Sequence, residues 1–335
     1  MTSNSRNKTI AILGAGGRLG SEAVTAFHAA GWSVTAITRH GKGRFPQGVR
    51  QVACDALDQA SVIRACAGNA HIFNGLNPIY TRWRRQLPVL TENVLAAAKA
   101  AGAVHLFPGN VYNFGSQIPP HPTEDTPQVG DHAKARLRIE AEERFREAAK
   151  GQAIQTLIIR AGDFYGGKGT GSWFDLVIAA GIGKGKFTYP GAMDIVHAWA
   201  YLPDLARAFV ALAENSQTCA MFDRFHFEGH SVSGTQMKEA AERATGGHLK
   251  AGSLPWPVLR IGGLFWPMWR ETWEVSYLWR RPHQLSDEKL TAVTGRLPST
   301  AFSQAIRQAL FDLGHLAQAE QQGVAPSAAR ASGNG

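Results

Sequence analysis

Short apolar runs alternate with stretches of helical spacing through the first half of the chain. Residues 9–13 form a continuous apolar run of strand length, and residues 18–30 follow with Leu19, Val24 and Phe27 available for one helical face. Similar runs at 33–38, 49–54, 71–74, 104–107 and 155–160 predict five more strands. Between them, 59–67, 87–101 and 133–150 read as helices, the second ended by Gly102. Strands alternating with helices imply parallel pairing with right-handed crossovers. The predicted fold class is therefore α/β: a Rossmann-type doubly wound parallel sheet, with its ligand crevice at the carboxyl ends of the strands.

From Gly162 the alternation loosens. A glycine-rich stretch holds one helix near 173–180, and further helices are predicted at 202–214 (opened by Pro203 and Asp204), 235–245, 287–294 and 302–311. This divides the chain into a Rossmann domain over 1–161, with its core at 8–161, and a smaller C-terminal substrate-binding region of mixed α/β type over 162–316. The segment 224–227 is expected to return to the sheet as a strand. The tail 317–335, rich in Ala, Gln, Gly and Ser, is expected to be flexible. Residues 254–281 hold five of the nine tryptophans. Trp269, Trp273 and Tyr277, extended by Trp266 and Leu278, have the spacing of one helical stripe, which suits packing of the small region. A partner- or lipid-facing patch and an apolar pocket remain alternatives for it.

The composition narrows the class. With 335 residues, 44% hydrophobic and 18% charged, the chain can bury a substantial core. The formal net charge of +9 invites a nucleic-acid partner. The positive residues are scattered, however. The one dense helix mixes Arg136, Arg138 and Arg144 with Glu140, Glu142 and Glu143 and reads as a solvated face. No nucleic acid is expected; a basic pocket for an anionic cofactor absorbs part of the excess. Cys54, Cys66 and Cys219 form neither a CxxC pair nor a zinc-type cluster, so no metal is expected and a reducing cytoplasm is the natural location. Residues 1–8 are polar and lack the features of a signal peptide. No segment reaches the roughly 18 apolar residues of a membrane span. The nearest, 254–269, is interrupted by Arg260 and three prolines.

The chemistry concentrates after the first strand, at Gly14-Ala15-Gly16-Gly17-Arg18-Leu19-Gly20. Gly14 permits a tight turn, Gly17 lets the backbone approach a pyrophosphate, and Gly20 lets the helix pack close to the sheet. The helix N-terminus offers its free N–H groups to the anion. Arg39 follows the second strand, where an acidic residue would take the adenosine ribose diol of NAD; an arginine suits the 2′-phosphate of NADP. Arg18 is a second candidate cation for that phosphate. NADP is thus expected over NAD.

The Gly-x-x-Gly-x-x-Gly spacing resembles the extended short-chain dehydrogenase/reductase family, in its NAD-dependent epimerase/dehydratase branch. Other landmarks across residues 8–312 agree in order: Asp55-Ala56 after strand three, Asn74-Gly75-Leu76 after strand four, Asn93 in the next helix and Val111-Tyr112 after strand five. Arg160-Ala161-Gly162-Asp163-Phe164-Tyr165-Gly166 and Tyr201-Leu202-Pro203-Asp204 extend the series. The resemblance implies cofactor contacts from Gly14, Gly16, Gly17, Arg18, Leu19, Gly20, Arg39, Asp55, Ala56, Gly75, Leu76, Asn93, Arg160, Ala161 and Gly162.

The family's catalytic serine, tyrosine and lysine are all substituted. Anchoring on Glu140 puts the lysine position at Arg136 and the tyrosine position at His132; counting back from Tyr112 puts the serine position at Pro108. His132 can move a proton near neutral pH, with Arg136 keeping a positive charge beside the ribose. Lys134 is the alternative, and two helical positions apart it cannot share a face with Arg136. The substrate side draws on Tyr80, Trp83, Asn110, Tyr112, Tyr165 and His197. Two functions follow. One is an NADP-dependent oxidoreductase acting by hydride transfer on a small carbonyl or sugar-like substrate, with a homodimer as an option. The other is a non-catalytic NADP-binding regulator or redox sensor.

Overall fold

In the computed structural model, residues 8–316 are described. The expected tail at 317–335 and the polar start at 1–7 lie outside them. The first half builds β1 (Thr9–Leu13), α1 (Arg18–Ala29), β2 (Ser33–Thr38), β3 (Arg50–Ala53), α2 (Gln59–Cys66) and β4 (His71–Asn74). It continues with α3 (Trp83–Ala101), β5 (Val104–Gly109), α4 (Ala133–Gln152) and β6 (Thr156–Arg160). The second half adds β7 (Asp163–Tyr165), β8 (Lys186–Tyr189), β9 (Val196–Tyr201), α5 (Leu202–Glu214), β10 (Phe222–His226), β11 (His230–Ser233) and α6 (Gly234–Thr245). It closes with β12 (Lys250–Ser253), α7 (Trp256–Gly262), α8 (Pro267–Glu274), α9 (Glu288–Thr294) and α10 (Phe302–Asp312).

Seven strands make one parallel sheet in the order β10-β6-β5-β4-β1-β2-β3. The chain reverses direction of travel between β1 and β4, which opens the crevice at their carboxyl ends. Each central strand is buried on both faces, so it reads as an unbroken apolar run such as Ile10 to Leu13 or Leu157 to Ile159. One layer of core packs α1 and α5 against the sheet through Val24, Phe27, Leu205 and Phe209. The opposite layer packs Val62, Val94, Leu95 and Phe145 from α2, α3 and α4. The segment 222–226 joins the sheet beside β6.

The second half also carries a small sheet, β11-β9-β7, and a parallel pair, β12-β8. Around them lies an aromatic core of Tyr165, Phe174, Phe187, Tyr189, Trp199, Tyr201 and Trp279. The tryptophan stripe is not one helix. α8 ends at Glu274, and a 3-10 turn over Ser276–Arg280 carries Tyr277, Leu278 and Trp279 inward. Among the described residues, no helix is long and apolar enough to cross a membrane.

Candidate active site

The glycine loop closes tightly on strand four. Gly14 has φ +73°, and a Cβ there would lie 2.6 Å from the Gly75 carbonyl oxygen. A Cβ on Gly20 would lie 2.2 Å from the Gly14 carbonyl oxygen, so only glycine lets α1 start this close to the turn. Gly17 caps α1 in extended conformation, and Gly16 faces Thr38 at the end of β2. The first intrahelical bond of α1 is Ser21 N–H to the Gly17 carbonyl at 2.8 Å, so the N–H groups of Arg18, Leu19 and Gly20 precede the helical ladder at the carboxyl end of β1. Arg39 stands exposed just past β2.

The loop after β3 is held from below. Asn93 donates to the Ala56 carbonyl at 2.9 Å, and Asp55 accepts the Leu57 N–H at 3.0 Å. After β4, Asn74 accepts from the Leu76 N–H at 3.4 Å, and its amide meets His105 at 3.3 Å. Burial pushes that imidazole down to about 3. Asn110 accepts the Tyr112 N–H at 3.0 Å and so starts the turn after β5. Gly162 sits where a Cβ would strike the Ala198 carbonyl at 2.1 Å, and the Ala161 N–H donates to Gly109.

Several residues expected at the cofactor or substrate are committed elsewhere. The Arg18 guanidinium pairs with Asp175 at 2.9 Å and donates to the Gly166 carbonyl at 2.6 Å, so it ties the glycine loop to the second region and does not join Arg39. Arg160 is 1% exposed; it pairs with both oxygens of Glu142 and donates to the Asn110 carbonyl, which makes it a strut rather than a cofactor ligand. Trp83 is buried and spends its indole N–H on the Pro78 carbonyl. Tyr165 is fully buried and bonds His230 at 2.7 Å. His197 is stacked on Trp279 at 4.5 Å, lies beside His283, and is bonded to Asp163 at 2.8 Å. Tyr165 and His197 belong to the aromatic core and not to a substrate wall.

The expected catalytic pair is also displaced. Arg136 is exposed and donates to the Gly130 carbonyl at 3.0 Å. His132 is the N-cap of α4. Its Nδ1 accepts the Ala135 N–H at 3.3 Å, and its Nε2 meets the Tyr277 hydroxyl at 3.0 Å. The inward face of α4 is instead Lys134, Arg138 and Glu142, all buried. Glu142, not Glu140, meets the arginine that ends β6. Counting back from Glu142 by four and by eight places Arg138 at the lysine position and Lys134 at the tyrosine position. The charged helix that reads as solvated thus buries three charges, each paired or held against polar or aromatic groups.

Lys134 is 1% exposed and donates to Glu271 and Glu274, both at 2.6 Å, while its ammonium lies 4.9 Å from the Tyr80 ring centre. Glu274 also accepts the Ala133 N–H at 2.6 Å, an anion at the start of α4. Burial opposes the charge on Glu274, but the His132 ring and Lys134 overcome it and hold this carboxyl down to about 2. Arg138 donates to the Asn77 side chain at 3.2 Å and lies over Trp83 and Phe107. Burial pushes its guanidinium down to about 10, still charged at neutral pH. Tyr80 and Tyr112 share a hydroxyl contact of 2.7 Å. Burial pushes Tyr80 up to about 12 and Tyr112 well above its usual range, so both are neutral hydrogen-bonding groups.

Arg138, Glu271 and Glu274 escape the sequence reading as site residues. Only the first had a usable signal, the Lys134-Arg138-Glu142 spacing opposite Arg160. Among the described residues, no cluster of His, Cys, Asp and Glu fit to hold a metal is found.

Comparison with known proteins fits this geometry. The profile of the NmrA-like family matches residues 6–126. No curated protein matches the chain by sequence. Many solved structures share the fold. A UDP-galactose 4-epimerase superposes with TM-score 0.68 at 17% identity, over 91% of this chain and 98% of its own. The UDP-glucose 4-epimerase of Thermotoga maritima, solved with UDP-glucose, gives 0.73 at 13%, with the same coverage. MoeE5, solved with UDP-glucose and NAD, gives 0.70 at 16%, over 91% and 98%. The profile match spans the glycine loop and the first five strands, and the fold is the one these epimerases share.

Proposed function

We propose that the protein is an NADP-dependent oxidoreductase of the epimerase/dehydratase type, moving a hydride to or from a small carbonyl or sugar-like substrate, with Lys134 as its acid/base group. One observation carries this reading: a buried ammonium on the inward face of α4, one turn from Arg138 and clamped by two carboxylates. The glycine loop fits a dinucleotide: with no room for a Cβ at Gly14 or Gly20, the turn stays tight and α1 starts close against it. Gly16, Gly17, Leu19 and Gly20 would line the pyrophosphate, and Arg39 the 2′-phosphate. Asp55 and Ala56 would flank the adenine, Gly75, Leu76, Ala161 and Gly162 the rest, and Arg138 with Asn77 the nicotinamide ribose.

When bound, the nicotinamide supplies the hydride. Lys134 donates its proton to the substrate oxygen as the new C–H bond forms and the C=O π pair moves to that oxygen. The neutral amine then regains a proton from solvent by way of Glu271 or Glu274. Tyr80, Asn110 and Tyr112 hold the substrate against the β4 and β5 ends.

Single-turnover oxidation of NADPH, followed over a panel of carbonyl compounds and nucleotide sugars, tests this. Lys134→Met is expected to lose about 10²–10⁴-fold in rate while keeping NADPH affinity. Arg136→Met is expected to change neither, because that side chain lies outside the crevice. Undiminished turnover in Lys134→Met would refute the assignment. A second reading, an NADP-binding regulator or redox sensor without turnover, is supported by the substitution of all three catalytic positions, now Pro108, Lys134 and Arg138. Tight NADPH binding with no oxidation across the whole panel would favour it.

A further inference from the structure

The hairpin of α7 and α8 has an anchored base and a bare apolar tip. At the base, the Trp256 indole donates to the Pro190 carbonyl at 2.6 Å, Trp256 packs on Trp273 and Trp173, and Glu271 with Glu274 grip Lys134. The turn is tight because Gly262 lets Trp269 close on α7; a Cβ there would lie 2.1 Å from its ring. At the tip, Ile261, Leu264, Phe265 and Trp266 are 64, 80, 74 and 57% exposed, joined by Val258 and Met268. Such a continuous apolar surface is rare unless something covers it.

Charge says what covers it. From Lys250 to Arg270 the chain has no acidic residue, while Lys250, Arg260 and Arg270 are basic, and the chain as a whole carries +9. Arg270 and Arg260 are exposed on either arm of the hairpin. The nearest acids, Glu271 and Glu274, are turned inward onto Lys134 and leave the tip cationic. A cluster of Leu, Phe, Trp and Ile ringed by arginine suits the interface of an anionic bilayer, where apolar side chains enter the acyl boundary and guanidinium groups meet phosphates. At 7 and 8 residues, α7 and α8 are too short to span a bilayer, and the mode argued for the tip is surface insertion.

We propose that the α7–α8 tip docks this protein on an anionic lipid surface. This goes beyond the enzymatic reading and holds whether or not turnover is found. Full-length protein would be sedimented with phosphatidylglycerol-containing vesicles and with pure phosphatidylcholine vesicles, and tryptophan emission recorded with each. Expected are partition onto the anionic vesicles with a blue shift, weakening in high salt, and a loss of about tenfold or more in the Leu264→Asn/Phe265→Asn double variant. Arg270→Glu should weaken binding with the tip intact. NADPH affinity, read on the same preparations, reports that the variants are folded. Absence of partition onto anionic vesicles, or equal partition of the folded tip variant, would overturn the proposal. Concentration-dependent self-association that the tip variant abolishes, without vesicle binding, would overturn it too and assign the tip to a second copy of the chain.

Discussion

Single side chains set the limits of this site. Gly20 has no room for a methyl group, so Gly20→Val is expected to cost about 1–3 kcal/mol of stability and to abolish measurable NADPH binding in a titration. Arg39→Asp should weaken NADPH more than NADH, by at least about tenfold in the ratio of dissociation constants; equal losses would remove the phosphate role of Arg39. Glu142→Ala would strand the Arg160 guanidinium, and denaturant unfolding should show about 3–5 kcal/mol lost. These glycines were legible because their spacing reflects backbone collisions, which the chain order alone encodes. Arg160 and Glu142 were not. Two charges that bury each other look, along the chain, like any two solvated charges, and the mixed signs of α4 concealed which three face inward.

Elements differ in how openly they declare themselves. β1, β2, β4 and β6 are flanked by helices on both faces, and their buried residues run without interruption. β7, β9 and β11 escape prediction because their buried positions mix His, Trp, Tyr and Ser with Ala and Val, as in His197-Ala198-Trp199. Those residues look like a binding cluster, yet they pack a sheet. α3 begins a turn earlier than its apolar spacing suggests, at Trp83, with Pro88 in its first turns. The hairpin of α7 and α8 depends on Gly262. In Gly262→Ala the Trp269 ring must move, so amide exchange across 256–274 should accelerate while NADPH affinity stays unchanged. Unchanged exchange would show that the hairpin can accommodate the methyl group.

The whole molecule stores several neutral imidazoles in its interior. Burial pushes His105, His226 and His283 down to about 3, against about 6.5 in an unfolded chain. Between those values the unfolded state binds more protons, so stability falls as pH drops below about 6.5 and continues to fall toward 3. Each histidine contributes a slope of up to about 1.4 kcal/mol per pH unit in that window. Urea unfolding at a series of pH values should show this decline, and His283→Phe should make it shallower by about that amount; an unaltered slope would mean that His283 is protonated in the folded protein. The clamp around Lys134 has a different consequence. In the proposed site two carboxylates, Glu271 and Glu274, already hold the one ammonium of Lys134, so its charge is not free for a substrate anion. Such a site discriminates by valence: it admits an uncharged carbonyl and gives an anion no counterion, and any phosphate on a substrate has to find its balance away from α4.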